Sequence, residues 1–468
     1  MNSLEGSKLT IQEYLDSIRD KKVYVFGIGV SNIPLIKMLR AHGIAVTACD
    51  KNTREGLGKT AEELEALGVK LHLGEGYMDG IDADLIFRSP GIRPDVPAFE
   101  AAVAKGAKVT SEMEVFFDVC PCKKIAVTGS DGKTTTTTII AKLMEKAGYT
   151  VHLGGNIGHP LLAETFDMKP EDVAVLELSS FQLMRMTTSP EIAVVTNVAP
   201  NHLDIHKGME EYVASKKNVF LHQHPGDKVV LNRDNEITYA FAAEAPGHVT
   251  LFSRQNPMDE GVVIENDTIC VKKNGDSRPV LPIGDILLPG VHNIENYMAA
   301  IGAVDGLVKD EVIREFAKSF GGVEHRIELV RELHGVKYYN DSIGSSPSRT
   351  IAGLRAFKQK VILIAGGYDK HIPYDVLGPD LVAHVKAMVL TGATAPKIRT
   401  AAEQAEGYDP RKLPIYDIDD FEEAIKKAQT LAQPGDVVIL SPASASFDRF
   451  KNFMVRGDTF KRIVRELK

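Results

Sequence analysis

Residues 124–140 read KIAVTGSDGKTTTTTII, and this stretch decides the fold. An apolar run ends at a glycine turn, and a helix-length segment follows from Thr134. Glycines let backbone N–H groups close around phosphate oxygens, and the N-terminus of a helix favours negative charge. The stretch therefore predicts a phosphate-binding loop in which Lys133 reaches the outer phosphates of a nucleotide and the Thr134 hydroxyl faces Mg²⁺.

The loop departs from the generic phosphate-loop pattern at its first position. The pattern G-x-x-x-x-G-K-T requires a glycine at position 127, where this chain has Val127. A glycine-rich turn that only starts a helix is the competing interpretation. The phosphate loop is favoured because a buried strand, the residues Gly132-Lys133-Thr134 and a helix occur together.

The residues after the loop predict one large domain. Apolar runs at 173–178 and 192–198 are typical of strands that helices cover on both faces, which implies a parallel sheet. Residues 223–290 contain short strand-like pieces and turns, and they predict an antiparallel extension of the same domain. Helix-like stretches at 293–307 and 311–319 close the domain.

A second glycine turn lies near the N-terminus. The strand-like residues 22–26 lead into Gly27 and Gly29, and the next strand-like run ends near Asp50. Glycines after a first strand and an acidic residue after the second are typical of a dinucleotide-type site. The third position of the G-x-G-x-x-G pattern is Asn32, so a nucleotide other than NAD remains open.

The C-terminal third repeats the plan, with strand-like runs at 337–340, 360–365, 386–391 and 436–441. The chain is therefore predicted to be an α/β protein of three domains. We expect a Rossmann-like N-terminal domain at 1–121, a central P-loop ATPase domain with a mostly parallel sheet at 122–322, and a Rossmann-like C-terminal domain at 323–468.

Composition narrows the class of protein. Hydrophobic residues make up 44% and charged residues 25% of the 468 residues, a globular balance. Lys plus Arg is 55 and Asp plus Glu is 63, so the net charge is −8 and a nucleic-acid partner is not expected. No signal-peptide pattern and no run of ~18 apolar residues occurs, which predicts a cytoplasmic protein with no membrane partner. Cys120 and Cys122 have no second ligand pair at zinc-site spacing, so the four cysteines are expected to be thiols.

Two further residues of the central domain are candidate metal ligands. Glu177 ends an apolar run, and His202 lies just beyond another. Polar groups at the carboxyl ends of strands beside a phosphate loop are well placed to hold a cation. Each residue also has a plain structural interpretation, because a buried Glu is often paired with a basic residue and a lone His is more often a hydrogen-bonded core residue.

Taken in order, the motifs of this chain resemble those of the Mur ligase family, the ATP-dependent amide-bond-forming enzymes of peptidoglycan synthesis. The resemblance covers essentially the whole chain. Asp131 departs from the family's usual loop, Gly-Thr-Asn-Gly-Lys, at the Asn position. The matching motifs are Gly129 to Thr134, Gly154 to Gly158, Glu177 to Phe181, Asn201-His202-Leu203-Asp204, Tyr212 to Lys216, His292-Asn293 with Asn296, and Glu324-His325-Arg326.

The resemblance implies the reaction, its substrates and its cofactors. Residues 441–448 with Lys451-Asn452-Phe453 look like the family member that adds D-glutamate to UDP-N-acetylmuramoyl-L-alanine through an acyl phosphate. The usual form of this stretch has Cys where Ser444 stands. ATP, two Mg²⁺ ions and a carbamylated lysine at Lys216 are implied as well, although the neighbouring Lys217 leaves the register open by one residue.

The resemblance also carries site residues over position by position. Catalytic roles fall on Lys133, Glu177, His202 and Lys216. ATP is matched by Gly129, Ser130, Asp131, Gly132, Lys133, Thr134, Thr135, Asn293, Asn296, Arg326 and Asp341. The uridine nucleotide substrate is matched by Val30, Ser31, Asp50, Lys51, Ser89, Gly91, Asn156 and His202. D-glutamate is matched by Lys370, Ser446 and Phe453, and the metal ions by Thr134, Glu177, His202 and carbamylated Lys216.

One charged position of the family is missing. Some members have a lysine where this chain has Ile343, so another cation such as Lys370 or Arg349 is expected to supply that charge. Phe453 as a core aromatic and Lys370 as a solvated loop charge are the plain alternatives for the acceptor pocket.

Other functions stay open at this point. Another Mur ligase or a folylpolyglutamate-synthase-like ligase would share the phosphate loop but lack the pattern at 441–453. A nicotinamide-dependent oxidoreductase would use Gly27, Gly29 and Asp50 but would leave Lys133 and Thr134 without a purpose. A nonenzymatic nucleotide-gated binding module is the third alternative. We expect the protein to be a monomer.

Overall fold

The computed structural model describes residues 9–200, 205–369 and 372–468. The chain divides into two compact units, the first formed by residues up to 283 together with 295–314, the second by 284–294 together with 315–468. The first unit contains two of the three main sheets and the second unit contains the third. The predicted α/β architecture with mostly parallel sheets is confirmed.

The N-terminal sheet is fully parallel. Its strands are β1 (Val23–Phe26), β2 (Val46–Asp50), β3 (Lys70–Leu73), β4 (Leu85–Arg88) and β5 (Lys108–Thr110). The accompanying helices are α1 (Ile11–Ser17), α2 (Asn32–Ala41), α3 (Arg54–Leu57), α4 (Lys59–Ala66), α5 (Pro97–Ala104) and α6 (Glu112–Val119). The strand order is β3-β2-β1-β4-β5, so the chain reverses direction across the sheet between β1 and β4, where open parallel sheets bind their ligands.

The central sheet has nine strands. They are β6 (Lys123–Thr128), β7 (Val151–Gly155), β8 (Val173–Glu177), β9 (Ile192–Val195), β10 (Lys228–Asn232), β11 (His248–Ser253), β12 (Gly261–Glu265), β13 (Thr268–Lys273) and β14 (Asp276–Pro282). The helices of this part are α7 (Lys133–Lys146), α8 (Ser180–Leu183), α9 (Met209–Lys217), α10 (Glu236–Ala240), α11 (Val291–Val304) and α12 (Asp310–Ser319). The order is β14-β13-β12-β11-β10-β9-β6-β8-β7, which places β6 between β9 and β8.

The prediction of an antiparallel extension over residues 223–290 is only partly right. β12, β13 and β14 do pair antiparallel. The prediction is wrong for β10 and β11, which are parallel to β9 and to each other, and β12 pairs parallel with β11. Short strands and turns in a sequence do not indicate whether a strand is parallel or antiparallel to its neighbours, because this depends on which strand it pairs with in the sheet. The 3₁₀ and α-helical turns at 236–243 provide the crossover between β10 and β11.

The sheet of the second unit is mixed. Its strands are β15 (Glu328–Leu333), β16 (Val336–Asn340), β17 (Val361–Ala365), β18 (Val385–Leu390), β19 (Ile415–Asp417) and β20 (Val437–Leu440). Its helices are α13 (Pro347–Arg355), α14 (Gly378–His384), α15 (Ala395–Glu403), α16 (Phe421–Leu431) and α17 (Phe453–Glu466). In the order β15-β16-β20-β17-β18-β19 only the β15–β16 pair is antiparallel. β20 enters between β16 and β17, which brings the residues after these three strands together.

All four cysteines are buried thiols, as expected. Cys120 and Cys122 lie at the passage from α6 to β6, with their Sγ atoms 3.5 Å apart. Within the described residues, no helix is both long and apolar enough to cross a membrane.

A buried carboxyl group ties the N-terminal part of the first unit to the central part. Glu112 opens α6, and its Oε1 accepts a hydrogen bond from the backbone N–H of Leu162 at 2.8 Å. Burial raises the pKa of Glu112 from 4.5 to about 7, against the opposing hydrogen bonds from Leu162 and Leu161. The protonated form is therefore the one that folding favours.

We expect Glu112 to make stability depend on pH. A raised carboxyl pKa contributes stability that is present below its ordinary value of 4.5 and is lost as the pH rises through about 7. Glu112→Gln keeps the acceptor oxygen without the charge. The free energy of unfolding of this variant should differ little from that of the wild type at pH 5 and should exceed it at pH 8 by up to about 3 kcal/mol. Thermal unfolding midpoints measured from pH 5 to 8 check this.

The exposed Glu100 on α5 supplies the matched control. Glu100→Gln removes the same charge without touching a buried contact, and it should leave the pH dependence of the wild type in place. Parallel midpoint curves for Glu112→Gln and the wild type would contradict the prediction.

Candidate active site

The predicted phosphate loop joins β6 to α7 and has the backbone that its glycines allow. Gly132 is the N-cap of α7 with a left-handed φ of 78°, and Gly129 has a φ of 149°. A side chain on Gly129 would collide with the Thr196 hydroxyl, and one on Gly132 would collide with the Asn296 side chain. Glycine is therefore required at both positions, for backbone conformation and for close approach.

The residues after β9 hold this loop in shape. The backbone N–H of Asp131 donates to Asn197 Oδ1 at 3.0 Å, and Thr196 Oγ1 donates to the Asp131 carbonyl at 2.6 Å. Ser130 Oγ donates to the Ala199 carbonyl and accepts from the Ala199 N–H, both at 2.9 Å. The loop conformation is thus fixed by neighbours from the adjacent strand rather than by its own sequence alone.

Lys133 lies folded over the loop. Its Nζ donates to the carbonyls of Gly129 and Ser130, both at 3.0 Å. Asn296, on α11, accepts from Thr136 Oγ1 at 3.2 Å and so lies against the first turns of α7. The structure therefore brings Lys133 and Asn296, both predicted to face ATP, to the same loop.

Glu177 ends β8 and is 1% exposed. Its Oε1 accepts from Asn156 Nδ2 at 2.8 Å, whereas its buried Oε2 has no partner among the described residues. A buried carboxylate oxygen without a partner is costly unless a cation or a water satisfies it. The carboxylate of Glu177 and the hydroxyl of Thr134 both offer oxygen atoms, the ligand type that Mg²⁺ prefers. The residues fit the ion that the sequence predicts.

Asn156 was expected at the uridine nucleotide substrate. In the structure it also contacts the candidate metal ligand, because its backbone N–H donates to the Glu177 carbonyl at 2.7 Å and its side chain donates to the carboxylate. Asn156 therefore orients Glu177 from the end of the neighbouring strand β7.

Lys216 is a buried lysine directed at the loop, with 1% of its surface exposed. Its Nζ donates to the Gly129 carbonyl at 2.7 Å and lies 4.7 Å from the centre of the Tyr212 ring. Burial, reinforced by the Lys133 charge, lowers the pKa of Lys216 to about 7, so a large fraction of the amine is neutral at physiological pH. Lys217 instead pairs with Glu244, and this places Lys216 at the loop in the register that the sequence favoured.

Tyr212 links this lysine to the phosphate loop. Its ring is buried, and its hydroxyl donates to Ser130 Oγ, 2.9 Å away, whose own proton goes to the Ala199 carbonyl. The sequence placed Tyr212 in a motif without a role. In the structure Tyr212 lies on α9 and contacts the loop through Ser130.

The second glycine turn follows β1 and lies at the carboxyl ends of the strands of the N-terminal sheet. Asp50, at the end of β2, accepts from the Ile28 N–H at 2.6 Å, and a Cβ on Gly27 would lie 2.6 Å from Ser89 Cβ. Asn32 stands where the dinucleotide pattern has glycine, and its Nδ2 donates to the carbonyls of Phe26 and Gly27. The Asn32 side chain therefore stabilises the turn through these two hydrogen bonds. Predicted residues gathered at this edge are Val30, Ser31, Asp50, Lys51, Ser89 and Gly91.

Arg88 is a site residue that sequence reasoning missed. It ends β4, is 1% exposed, and donates to the carbonyls of Ile92 at 3.2 Å and Phe181 at 3.1 Å. It thereby joins the turn that carries Ser89 and Gly91 to the segment just after Glu177. A cation at the end of the apolar strand Leu85–Arg88 was the available signal.

In the second unit, Asp341 and Ser441 meet after β16 and β20. Ser441 Oγ donates to Asp341 Oδ2 at 2.7 Å. Burial raises the pKa of Asp341 to about 7, against the hydrogen bond from Ser441 and the charges of Arg326 and Arg349. Arg326 and Asp341, both predicted to face ATP, are thus neighbours, and Asn293 lies in this unit as well.

Arg349 lies beside Ile343, the position at which some family members have a lysine. It lies on α13, and its Nη1 donates to the Ile343 carbonyl at 3.3 Å. Burial and the nearby Arg326 lower the pKa of Arg349. Of the two cations considered from sequence, Arg349 is the one described beside Ile343.

Arg456 shapes the loop that contains Ser446, and sequence reasoning missed it. This 2% exposed guanidinium donates to the carbonyls of Ser342, Ser444 and Ala445 at 2.9 to 3.1 Å. Burial lowers the pKa of Arg456 to about 10. The loop it holds includes Ala443 with a φ of 54°, a conformation that costs an alanine energy and that the surrounding contacts must impose.

Three further positions in and after this loop, Ser444, Ser446 and Phe453, have different surroundings. Ser444, where the family usually has Cys, uses its hydroxyl fully, with Tyr374 Oη at 2.8 Å and Thr394 Oγ1 at 2.7 Å. Phe453 begins α17 and packs edge-on against the His325 ring, with 5.9 Å between centroids. Ser446 is buried, and its hydroxyl has no hydrogen bond to the described part of the chain.

Two predicted site residues, His202 and Lys370, lie outside the described residues.

Comparison with family models assigns all three parts of the chain. Residues 21–111 match the Mur ligase MurD-like N-terminal domain, residues 127–304 the Mur ligase middle domain, and residues 325–444 the Mur ligase glutamate ligase domain.

Relatives match along the full length. A protein from Acetivibrio thermocellus named UDP-N-acetylmuramoylalanine--D-glutamate ligase is 53% identical over 463 residues, 98% of this chain and 99% of the relative. A protein of the same name from Ruminiclostridium cellulolyticum is 52% identical over 462 residues, again 98% of this chain and 99% of the relative.

Solved structures share the fold at low identity. UDP-N-acetylmuramate-alanine ligase from Thermotoga maritima aligns with 96% of this chain and 100% of its own, with a TM-score of 0.58 and 18% identity. A UDP-N-acetylmuramoyl-L-alanyl-D-glutamate--2,6-diaminopimelate ligase aligns with 78% of this chain and 87% of its own, with a TM-score of 0.53 and 21% identity. With three matched domains and relatives about half identical along their whole length, the chain belongs to the Mur ligase family, in the group of the UDP-N-acetylmuramoylalanine--D-glutamate ligases.

Proposed function

We propose that this protein joins D-glutamate to UDP-N-acetylmuramoyl-L-alanine with ATP, in cytoplasmic synthesis of peptidoglycan precursors. The observation that carries the proposal is the 53% identity to a ligase of that name over 98% of this chain. The phosphate loop, with Lys133 and the buried groups Glu177 and Lys216 around it, is the machinery such a reaction needs.

The reaction proceeds in two transfers. The terminal carboxylate of the uridine nucleotide substrate attacks the γ-phosphorus of ATP, which forms an acyl phosphate and breaks the bond to ADP. The amine of D-glutamate then attacks the activated carbonyl, loses a proton and expels phosphate. Phosphoryl transfer depends on alignment and charge neutralisation more than on covalent help from the protein. Lys133 contributes its charge at the outer phosphates, and the N-terminus of α7 contributes its backbone N–H groups.

Two Mg²⁺ ions would be held by Thr134, Glu177, His202 and a carbamate on Lys216. When bound, they neutralise charge on the transferring phosphoryl group. The unpartnered Oε2 of Glu177 supports this assignment. Asn156 holds the other carboxylate oxygen, which would leave Oε2 available to the ion.

The environment of Lys216 supports its proposed carbamylation. The neutral amine attacks CO₂ and loses a proton, which converts a cation into an anionic oxygen ligand. Its lowered pKa, about 7, keeps enough neutral amine for this step at physiological pH. An ammonium beside a metal ion would repel it, whereas a carbamate attracts it.

The remaining residues divide between the substrates. Val30, Ser31, Asp50, Lys51, Ser89, Gly91, Asn156 and His202 would bind the uridine nucleotide. The phosphate loop with Thr135, Asn293, Asn296, Arg326 and Asp341 would bind ATP. Lys370, Ser446 and Phe453 would bind D-glutamate, with Arg349 supplying the charge that Ile343 lacks. We propose domains at 1–121, 122–322 and 323–468 and a monomeric enzyme.

The function is tested by phosphate release. ATP and UDP-N-acetylmuramoyl-L-alanine should give sustained release with D-glutamate and little with L-alanine or L-lysine. Lys133→Met should lower kcat about a thousandfold, because one preorganised charge at the transferring group is lost. The control Lys142→Met changes an exposed lysine on the same helix and should be near normal. Release with another acceptor but not with D-glutamate would assign a different ligase.

We expect Lys216→Ala to lower kcat by at least a hundredfold and acetate or formate to restore part of it. Lys217→Ala is the matched control and should stay active, because Lys217 pairs with Glu244 away from the loop. With a Lys216 pKa of about 7, CO₂-depleted enzyme should regain activity on bicarbonate addition more fully at pH 8 than at pH 6. A carbamate signal in ¹³C NMR with labelled bicarbonate checks the modification directly. No rescue and no signal would contradict it.

Arg349→Met should raise the KM for D-glutamate about tenfold to a hundredfold, because a charge-assisted hydrogen bond to a carboxylate is lost. Ile343→Lys added to this variant should restore part of the affinity, since it returns a cation to the position that other family members use. Arg355→Met, on the exposed face at the end of the same helix, is the control. A KM for ATP that rises instead would assign Arg349 to the nucleotide.

A further inference from the structure

The phosphate loop of this chain carries a carboxylate, Asp131, where the family's usual loop has an asparagine. The backbone of Asp131 is held by Thr196 and Asn197 through three hydrogen bonds, of 2.6, 3.0 and 3.2 Å. Its side chain is exposed and forms no hydrogen bond within the described ranges. The fixed backbone therefore presents a full negative charge at the rim of the loop.

This charge belongs to the same electrostatic site as the candidate metal ligand. The carboxylates of Asp131 and Glu177 both act on the Lys216 amine, where each raises the pKa against the larger effect of burial. Glu177 Oε2 is buried and without a partner among the described residues. Both carboxylates are thus near a loop built to take phosphate, on which Lys133 and Lys216 already lie. A cation bound with the phosphates would be attracted by each carboxylate.

We propose that Asp131 makes nucleotide binding depend on a divalent cation, by supplying a further oxygen ligand, direct or through water, to the cation that accompanies the nucleotide phosphates. The proposal rests on ATP being the substrate of this loop.

The charge of Asp131 couples the binding of the metal to the binding of the nucleotide. Without a metal, the Asp131 charge repels the phosphates and weakens nucleotide binding. With a metal, the same carboxylate attracts the cation, which in turn attracts the phosphates. The aspartate therefore increases the coupling between metal and nucleotide, and coupling of this kind is reciprocal. An aspartate that only oriented Lys133 would behave in the opposite way, because its removal would weaken metal-free binding.

Asp131→Asn is the isosteric test, and it restores the residue of the usual family loop. ADP binding is measured by calorimetry with the full-length protein, in EDTA and in saturating MgCl₂. We expect metal-free ADP to bind about tenfold more tightly to Asp131→Asn than to the wild type. The ratio of the metal-free Kd to the Mg²⁺ Kd should fall by at least the same factor.

Asp276→Asn is the matched control for net charge. Asp276 lies exposed in β14, six strands from β6 in the sheet, which is about 29 Å at the usual strand spacing. This variant should bind ADP as the wild type does under both conditions.

A second readout follows the metal itself. The concentration of free Mn²⁺ is measured by electron paramagnetic resonance with ADP present. Asp131→Asn should bind Mn²⁺ about tenfold more weakly than the wild type. An unchanged Kd ratio, or weaker metal-free ADP binding in Asp131→Asn, would overturn the inference while leaving the proposed function intact. A wild-type protein that binds no nucleotide under either condition would instead refute the proposed function.

Discussion

The close approach of the phosphate loop to the end of β9 is the constraint on which the site depends. Gly129 lies against Thr196 so tightly that no side chain fits, and hydrogen bonds from Thr196 and Asn197 fix the backbone of Asp131. Because β6 lies between β9 and β8, the same sheet edge also carries Glu177. Lys216 reaches this edge from α9 and donates to the Gly129 carbonyl. The loop is therefore the centre around which the buried charges are arranged.

Several ionisable side chains are buried in this fold, and the free-energy cost of burying them is offset in different ways. Arg88 and Arg456 are satisfied mainly by main-chain carbonyls, so both stabilise turns. Arg88 also pairs with Glu114, with 3.9 Å between Nη2 and Oε1. Glu112 and Asp341 are shifted toward their protonated forms by burial. Glu177 alone among these keeps a buried oxygen without a partner in the described residues. That difference separates Glu177, a carboxylate prepared for a cation, from Glu112, which holds two parts of the fold together.

The sheet of the second unit shows how topology creates a site from distant segments. β20 inserts between β16 and β17, so Asp341 and Ser441, a hundred residues apart, share a hydrogen bond. Arg456 then holds the strained loop around Ala443 from the far end of the chain. A site assembled in this way is rigid because its strain is held by buried contacts.

Local sequence determined the phosphate loop, the alternation of strands and helices and, by resemblance, the family, because these depend on residues close together in the chain. It also placed Lys133 and Lys216 at the loop and Asp50 at the end of its strand. The direction of β10 and β11 was not predictable, because a strand's direction depends on its partner. Only the tertiary structure revealed Arg88, Arg456 and the unpartnered oxygen of Glu177, because burial and hydrogen bonding are set by groups remote in sequence. For the same reason, the lowered pKa of Lys216 appears only once Lys133 and the surrounding core enclose the amine.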